Sequence, residues 1–326
     1  MTSVTILVAV YNAEKYLRKC LDSLLRQTLT DWQAICIDDA STDRSLAILR
    51  QYEERDKRFR VIHLNENRGQ AHARNQGLLF AEGEYTCFLD SDDWLADDAL
   101  EKTVEVFRNN PKTDCVLFDC QYVDERTGGK SPYSMQPFEC KSGREAFVDS
   151  LTWKIHGVYM VRTSIHIKHP YDESAKSYSD DNTTRVHYFV SDEVRLGKGT
   201  YFYLQRQDSV THKNDFSRVN CLRANESMAE TLEQLGCDEE IKALYEHQRW
   251  LTLVDTYYFY YRNKCRFFSS AKRRNFLDEI HKYWGRIEDG EDKFGYRHCS
   301  SWTRFRLQEE LYFTLKAIRA LFSKNK

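Results

Sequence analysis

Asp90-Ser91-Asp92 follows directly on the apolar run Tyr85-Thr86-Cys87-Phe88-Leu89, and Asp93 comes next. A short apolar strand would deliver two carboxylates, one residue apart, to its C-terminal edge. Alternate positions on a strand point the same way, so Asp90 and Asp92 could share one task. Hard oxygen ligands beside a phosphate suit Mg²⁺ or Mn²⁺, which take one or two protein carboxylates and complete their shell with substrate phosphate and water. The plainer reading is an acidic turn that caps a helix starting near Leu95, since Asp is a favoured cap residue. The other loops of the first hundred residues tip the balance toward a metal–nucleotide site.

Those carboxylates need elements to hold them. Val4 to Val10 is continuously apolar, as a strand buried on both faces should be. Glu14 to Gln27 has helical spacing, with Tyr16, Leu17, Cys20, Leu21, Leu24 and Leu25 on one side. Further strands are predicted over Gln33–Ile37, Arg60–Leu64, Tyr85–Leu89 and Asp114–Asp119, and helices over Ser45–Arg55, Ala71–Ala81 and Asp97–Asn109. This alternation predicts an α/β fold with a doubly wound, mostly parallel Rossmann-like sheet. Right-handed crossovers collect the loops after the strands along one edge, where such sheets bind ligands. Tyr11-Asn12, Asp38-Asp39, Asn65 to Gly69 and Asp90-Ser91-Asp92 then share one crevice.

Four segments now bear comparison with a known family. They are Val8-Ala9-Val10-Tyr11-Asn12, Ile37-Asp38-Asp39-Ala40-Ser41-Thr42-Asp43, Asn67-Arg68-Gly69 with Ala73-Arg74-Asn75, and Phe88-Leu89-Asp90-Ser91-Asp92-Asp93. In order and interval they resemble the signature of family 2 glycosyltransferases of the GT-A fold, of bacterial polysaccharide type. The match is dense over the first third of the chain and sparser to about His212. Ala9 stands where the family usually has proline, and Ala40 where it often has glycine.

The resemblance implies a nucleotide-sugar donor, most often UDP-linked, a divalent cation (Mn²⁺ or Mg²⁺), and transfer with inversion. By position, Tyr11 would line the base pocket and Asp39 would contact the nucleobase. Arg74 would lie near the diphosphate and Asp90 near the ribose or donor sugar, with Val10 and Ser91 completing the donor set. Asp92 would bind the metal. Asp38 ranks below Asp39, because it could be a turn residue bonding its own backbone. Inversion also needs a base for the acceptor hydroxyl. Tyr171-Asp172-Glu173 and Ser179-Asp180-Asp181 resemble the family's base region, with Asp181 as the base and Asp180 second; a solvated acidic loop is the plain alternative. Trp153 to Arg162 resembles the acceptor-side segment, where Trp153 and His156 could offer a ring to a sugar, although an aromatic buried in the core explains Trp153 equally well. Tyr201-Phe202-Tyr203 to His212 resembles the end of the catalytic domain, with Arg206 near the donor phosphates and His212 as a possible third metal ligand.

The 326 residues carry a net charge of −2, and 41% are hydrophobic. That charge is uneven: from Lys264 onward there are 15 Lys/Arg against 8 Asp/Glu, so an acidic body precedes a basic tail. The catalytic domain is expected over 1–215 and a helical region over 216–326. Asp238 to Arg262 is aromatic-rich and is expected to pack against the catalytic domain, with plain helix packing as the favoured account of it. Leu307, Leu311, Leu315, Ile318 and Phe322 form one apolar stripe flanked by Arg304, Arg306, Lys316, Arg319, Lys324 and Lys326. Such a helix could lie on an anionic membrane, dock on a partner or make an oligomer contact. Ten cysteines form no metal-binding spacing, and neither a signal peptide nor a membrane-spanning stretch is evident, which points to a reduced, cytoplasmic location, peripheral on the inner face of the plasma membrane if the tail binds lipid.

The expected function is therefore an inverting, metal-dependent glycosyltransferase acting on a saccharide or lipid-linked saccharide acceptor in surface polysaccharide or glycolipid synthesis. The alternative is a sugar-nucleotide-binding protein without catalysis, from which only Asp181 separates it. A phosphoacceptor domain fails on length and on the missing lysine strand. A nucleotidyltransferase would open with a glycine-rich loop, and Tyr11 to Tyr16 has no glycine. No nucleic-acid-binding module is recognisable, and nucleic acid is not an expected partner.

Overall fold

The computed structural model describes residues 2–175, 178–206, 216–264, 270–287 and 301–323, apart from the side chains of 216, 217, 270 and 317–323. The chain divides into two compact units, Met1–Lys213 and Asn214–Lys326.

The first unit begins as the alternation predicts. Its elements are β1 (Val4–Val10), α1 (Leu17–Leu25), β2 (Trp32–Asp38), α2 (Ser45–Arg55), β3 (Phe59–His63), α3 (Gln70–Leu78) and β4 (Tyr85–Phe88). These strands run parallel in the order β3-β2-β1-β4. One face of β1, with Ile6, Val8 and Val10, packs on Leu17, Leu21 and Leu24 of α1. The other face, with Leu7, packs on Ala71, Ala73 and Leu78 of α3. Each fully buried aliphatic contributes roughly 1.5–3 kcal/mol, so a strand apolar throughout favours coverage on both sides. A Cβ on Gly77 would stand 2.6 Å from Ile37 Cδ1, so this glycine lets α3 lie close against the sheet.

The remainder of the unit departs from simple alternation. It comprises β5 (Trp94–Leu95), α4 (Ala99–Asn109), β6 (Thr113–Asp124), β7 (Lys130–Pro132), β8 (Cys140–Ser142), α5 (Gly143–Leu151), β9 (Tyr159–Arg162), α6 (Thr163–Lys168), α7 (Asp180–Val190) and β10 (Glu193–Gln205). The strand predicted at Asp114 extends to Asp124 and does not lie beside β4. Instead β9 enters between β4 and β6, antiparallel to both. The sheet order is β3-β2-β1-β4-β9-β6-β10-β5. Its parallel core is the part whose runs are apolar on both faces. The insertion of β9 involves partners far apart in sequence, which local periodicity does not encode.

The second unit is helical: a 3-10 turn over Phe216–Val219, then α8 (Asn220–Gln234), α9 (Glu239–Asn263), α10 (Ser270–Trp284) and α11 (Trp302–Ser323). The aromatics of α9 are buried inside this unit, with Trp250, Tyr257 and Tyr260 against Phe276, Phe305 and Phe313. The predicted stripe on α11 faces outward: Leu307, Leu311 and Leu315 are exposed, and the buried positions are Phe305, Glu309 and Phe313. The side chains of Ile318 and Phe322 lie outside those described. Among the described residues no helix is long and apolar enough to cross a membrane.

Candidate active site

Hydrogen bonds stitch the loops at the C-terminal edge of the parallel strands into one frame. Asn12 takes a left-handed φ of 49°, which asparagine tolerates. Its Oδ1 accepts from the Thr42 amide at 2.8 Å, and its own amide donates to Ser41 Oγ at 3.0 Å. Val10 is buried and contributes through its main chain, its carbonyl accepting from the Asp39 amide at 2.8 Å. Asp39, also buried, accepts from the Arg68 amide at 2.9 Å and the Gly69 amide at 2.8 Å. Gly69 has φ 94°, a conformation that favours glycine. Both oxygens of Asp39 thus face the 67–69 loop, and its visible task is to hold that loop. Asp38, ranked lower in the sequence, has the open acceptor. Its Oδ2 meets His63 Nδ1 at 2.8 Å and accepts from the Ser41 amide at 3.3 Å, the local turn bond expected of it, while its buried Oδ1 has no hydrogen-bond partner among the described residues. Tyr11 is half exposed at the tip of β1, where its ring can meet a ligand.

The charges lie one layer deeper. Arg74, at 2% exposure, is no surface arginine. Its Nη2 donates to Asp90 Oδ1 at 2.5 Å, and its guanidinium rests 4.2 Å from the Phe88 ring centre and 5.3 Å from that of Tyr171. Its charge reaches the crevice through Asp90. Arg206 pairs with Asp92 at 2.9 Å, so the residues expected on the phosphates and on the metal bind each other here, with half-buried Ser91 between Asp90 and Asp92. Asp93 is a structural carboxylate: it accepts from the Tyr201 hydroxyl at 2.8 Å and from the Leu204 amide at 2.7 Å. Burial raises the Asp90 carboxyl; Arg74 opposes that rise and the Asp92 charge adds to it. Burial raises Asp93 far above its ordinary range, and the charges of Asp90 and Asp92 add to the effect.

The predicted base region arrives on α7. Asn75 pairs with the Tyr171 main chain in both directions, at 2.8 and 2.9 Å, and its Nδ2 also donates to Glu173. Asp172 then grips the first turn of α7, its amide donating to Thr183 Oγ1 at 2.9 Å and its Oδ2 accepting from Asn182 at 2.7 Å. This pins Asp180 and Asp181 at the helix start. Asp180 accepts from Gln70 Nε2 at 2.7 Å and feels the charges of Arg74 and Asp90, so the base region adjoins the donor crevice. Burial, then the Asp180 charge, push Asp181 up to about 7, while Arg185 pulls the other way. Asn75, Asp172 and Gln70 were not singled out for these roles in the sequence; the Ala73-Arg74-Asn75 motif was the available signal. Trp153 is 49% exposed, which removes the core explanation for it, whereas His156 is buried. His212 lies outside the described residues.

The donor set suits a hard divalent cation in one specific sense. Among the described residues no three carboxylate, histidine or cysteine side chains are spaced to hold a metal alone. Asp90, Asp92 and Asp93 nonetheless crowd negative charge that raises the Asp90 and Asp93 carboxyls. One or two carboxylates completed by substrate phosphate and water is the coordination that Mg²⁺ accepts.

The chain is similar to several known proteins. The family model described as Glycosyl transferase family 2 matches residues 5–168. EpsH of Bacillus subtilis, named as a glycosyltransferase, is 42% identical over 123 residues, covering 38% of this chain and 34% of EpsH. The poly(ribitol-phosphate) beta-glucosyltransferase of Bacillus spizizenii is 38% identical over 133 residues, 40% of this chain and 21% of that protein. The chain therefore spans about a third or less of the length of these relatives. Crystalline TarS residues 1–349 from S. aureus, in complex with UDP-GlcNAc, superimposes with a TM-score of 0.69 at 21% identity, covering 88% of this chain and 82% of that one. That likeness establishes the GT-A fold. With half of the chain matched by the family model, the protein belongs to glycosyl transferase family 2.

Proposed function

We infer that the protein transfers a sugar, with inversion, from a UDP-linked donor to a hydroxyl of a saccharide or lipid-linked saccharide acceptor during synthesis of a surface polysaccharide or glycolipid. The observation that carries this is Asp181. A carboxyl held near pH 7 by burial and by Asp180, at the head of a helix adjoining Arg74 and Asp90, is poised to exchange a proton at working pH. In the reaction the acceptor oxygen bonds to the anomeric carbon, the bond from that carbon to the diphosphate oxygen breaks, and Asp181 takes the hydroxyl proton. Nucleoside diphosphate leaves with the electron pair. Tyr11 offers a ring to the base, and Asp90, steadied by Arg74, faces the donor's sugar groups. A divalent cation held by Asp92 would supply positive charge against the departing diphosphate. Arg206, now on Asp92, is near enough to share that task.

The UDP assignment draws support from the UDP-GlcNAc bound to the structural relative. Peripheral contact with an anionic membrane at the cytoplasmic face is favoured by the outward Leu307, Leu311 and Leu315 of α11, with Arg304 and Lys316 on the same helix. Deleting 301–326 should abolish salt-sensitive binding to anionic vesicles; unchanged binding removes the membrane from the account. The primary test is calorimetric titration of UDP, with GDP for comparison, in Mn²⁺ and again in EDTA. Tight binding of UDP alone, lost in EDTA, is expected. Binding of neither nucleotide overturns the donor assignment.

A further inference from the structure

Beside Asp181 opens a small, shallow cleft whose lining includes Trp153, His156, Thr184 and Arg185. Among the described residues three arginines are buried: Arg74, Arg185 and Arg249. Arg74 pairs with Asp90, and Arg249 with Glu226 and Glu246. Arg185, 8% exposed, forms no ion pair and no hydrogen bond among the described residues; its guanidinium lies 5.9 Å from the Trp153 ring centre. A guanidinium largely withdrawn from water, with the Asp181 charge one turn away as its counter-charge, gains by meeting an anion in this cleft.

Trp153 is a second, independent sign. It adopts φ 58°, a left-handed conformation costing about 1–2 kcal/mol in a residue with a Cβ. Tyr133 holds it there, donating its hydroxyl to the Trp153 carbonyl at 2.7 Å. Strain of this kind collects at ligand sites, and here it sets a half-exposed indole at the mouth of the cleft. His156 adds no charge: burial pushes it down to about 4, and its Nδ1 accepts from the Val158 amide at 3.3 Å. Asp181 and Arg185 are one turn apart on α7, so their Cβ atoms are about 5–6 Å apart on one helix face. That separation matches a hydroxyl and an acidic substituent on one sugar.

We propose that the cleft is a specificity subsite for an acidic acceptor: a carboxylate or phosphate group pairs with Arg185, the sugar ring rests on Trp153, and the hydroxyl to be glycosylated meets Asp181. This rests on Asp181 as the base. Selection comes from the charge-assisted, forked contact of a guanidinium, which a neutral sugar cannot return.

The test is titration of the purified full chain with methyl glucuronide, glucose 6-phosphate and methyl glucoside, followed by saturation-transfer NMR. UDP titration runs in parallel to report the donor site. At least one acidic glycoside should bind roughly tenfold or more tightly than the neutral one, as a charged hydrogen bond warrants. The tighter of the two identifies the anion. Arg185→Gln should erase the preference and Arg185→Lys should restore part of it, while Trp153→Ala should weaken acidic and neutral glycosides alike. Equal binding by the native chain, or a preference that survives Arg185→Gln, overturns the subsite. A retained preference without UDP binding supports the subsite and separately overturns the donor assignment.

Discussion

The proposed donor edge and the proposed acceptor side of the same sheet are built by different means. At the donor edge, the loops are fixed by main-chain amides held on side-chain acceptors within the loops themselves: the Asn12 and Thr42 amides on Ser41 and Asn12, and the Arg68 and Gly69 amides on Asp39. On the acceptor side the working groups are side chains placed by neighbours distant in sequence, such as Asp180 bonded to Gln70 and Arg185 beside Trp153. Loops braced by their own side chains keep their shape when an exposed ligand-facing residue such as Tyr11 changes, whereas the acceptor side changes its chemistry with each substitution. The first suits a shared donor chemistry and the second suits diverging acceptors.

The comparison can be broken most sharply at Asp92. Asp92→Ala should abolish the cation-dependent part of UDP binding measured by calorimetry in Mn²⁺ and EDTA; undiminished binding removes Asp92 from the metal. Next comes Asp181→Asn, which should leave UDP affinity intact while turnover, followed as UDP release, falls by roughly 10²-fold or more. If turnover were normal, the base would have to be reassigned, Asp180 first.

A finer probe is the pH profile. A base works ionised, so with Asp181 raised to about 7 the rate should climb as pH rises through that value and fall below it. Asp180→Asn removes a neighbouring negative charge and should move the midpoint down. Arg185→Gln removes the opposing positive charge and should move it up. Coincident profiles for all three proteins would break the link between these residues.

Asn75→Ala tests whether the two sides are mechanically joined. It deletes three hydrogen bonds to residues 171 and 173, and should cost about 1–3 kcal/mol in urea unfolding. The smallest effect belongs to Ala40, which holds φ 59° at a position where glycine is frequent in the family. Ala40→Gly should be neutral to stabilising by about 1 kcal/mol, since relief of the left-handed strain is partly offset by glycine's greater freedom when unfolded. A clear loss in thermal melting would contradict the strain.

The same division explains what could be read from the sequence. The strands β1 to β4 were legible because their apolar runs need both faces covered, and the Asp38-Asp39 and Asp90-Ser91-Asp92 loops because they end such runs. Hidden were the partners: that Asp39 turns both oxygens to the 67–69 loop, that Arg74 sits under Asp90, and that Arg206 reaches Asp92. Position along the chain suggested a ligand for each, but side-chain contacts between separate elements are not periodic and leave no local pattern. Trp153 stayed ambiguous for a related reason, since a tryptophan in a core and one at a cleft look alike until the backbone conformation is known.

The insertion of β9 has a consequence for how the chain is made. Strand β4 pairs with β1 on one side and with β9 on the other. A nascent chain emerging from the ribosome therefore carries β4 with one row of amides and carbonyls unpaired until α4, β6 and α5 have also been synthesised. Throughout that interval the half-built sheet offers an edge to any other extended chain. Vectorial synthesis thus leaves the segment bearing the Asp90 carboxylate among the late parts of the sheet to close, and a ribosome stalled before Tyr159 would release a fragment prone to aggregate.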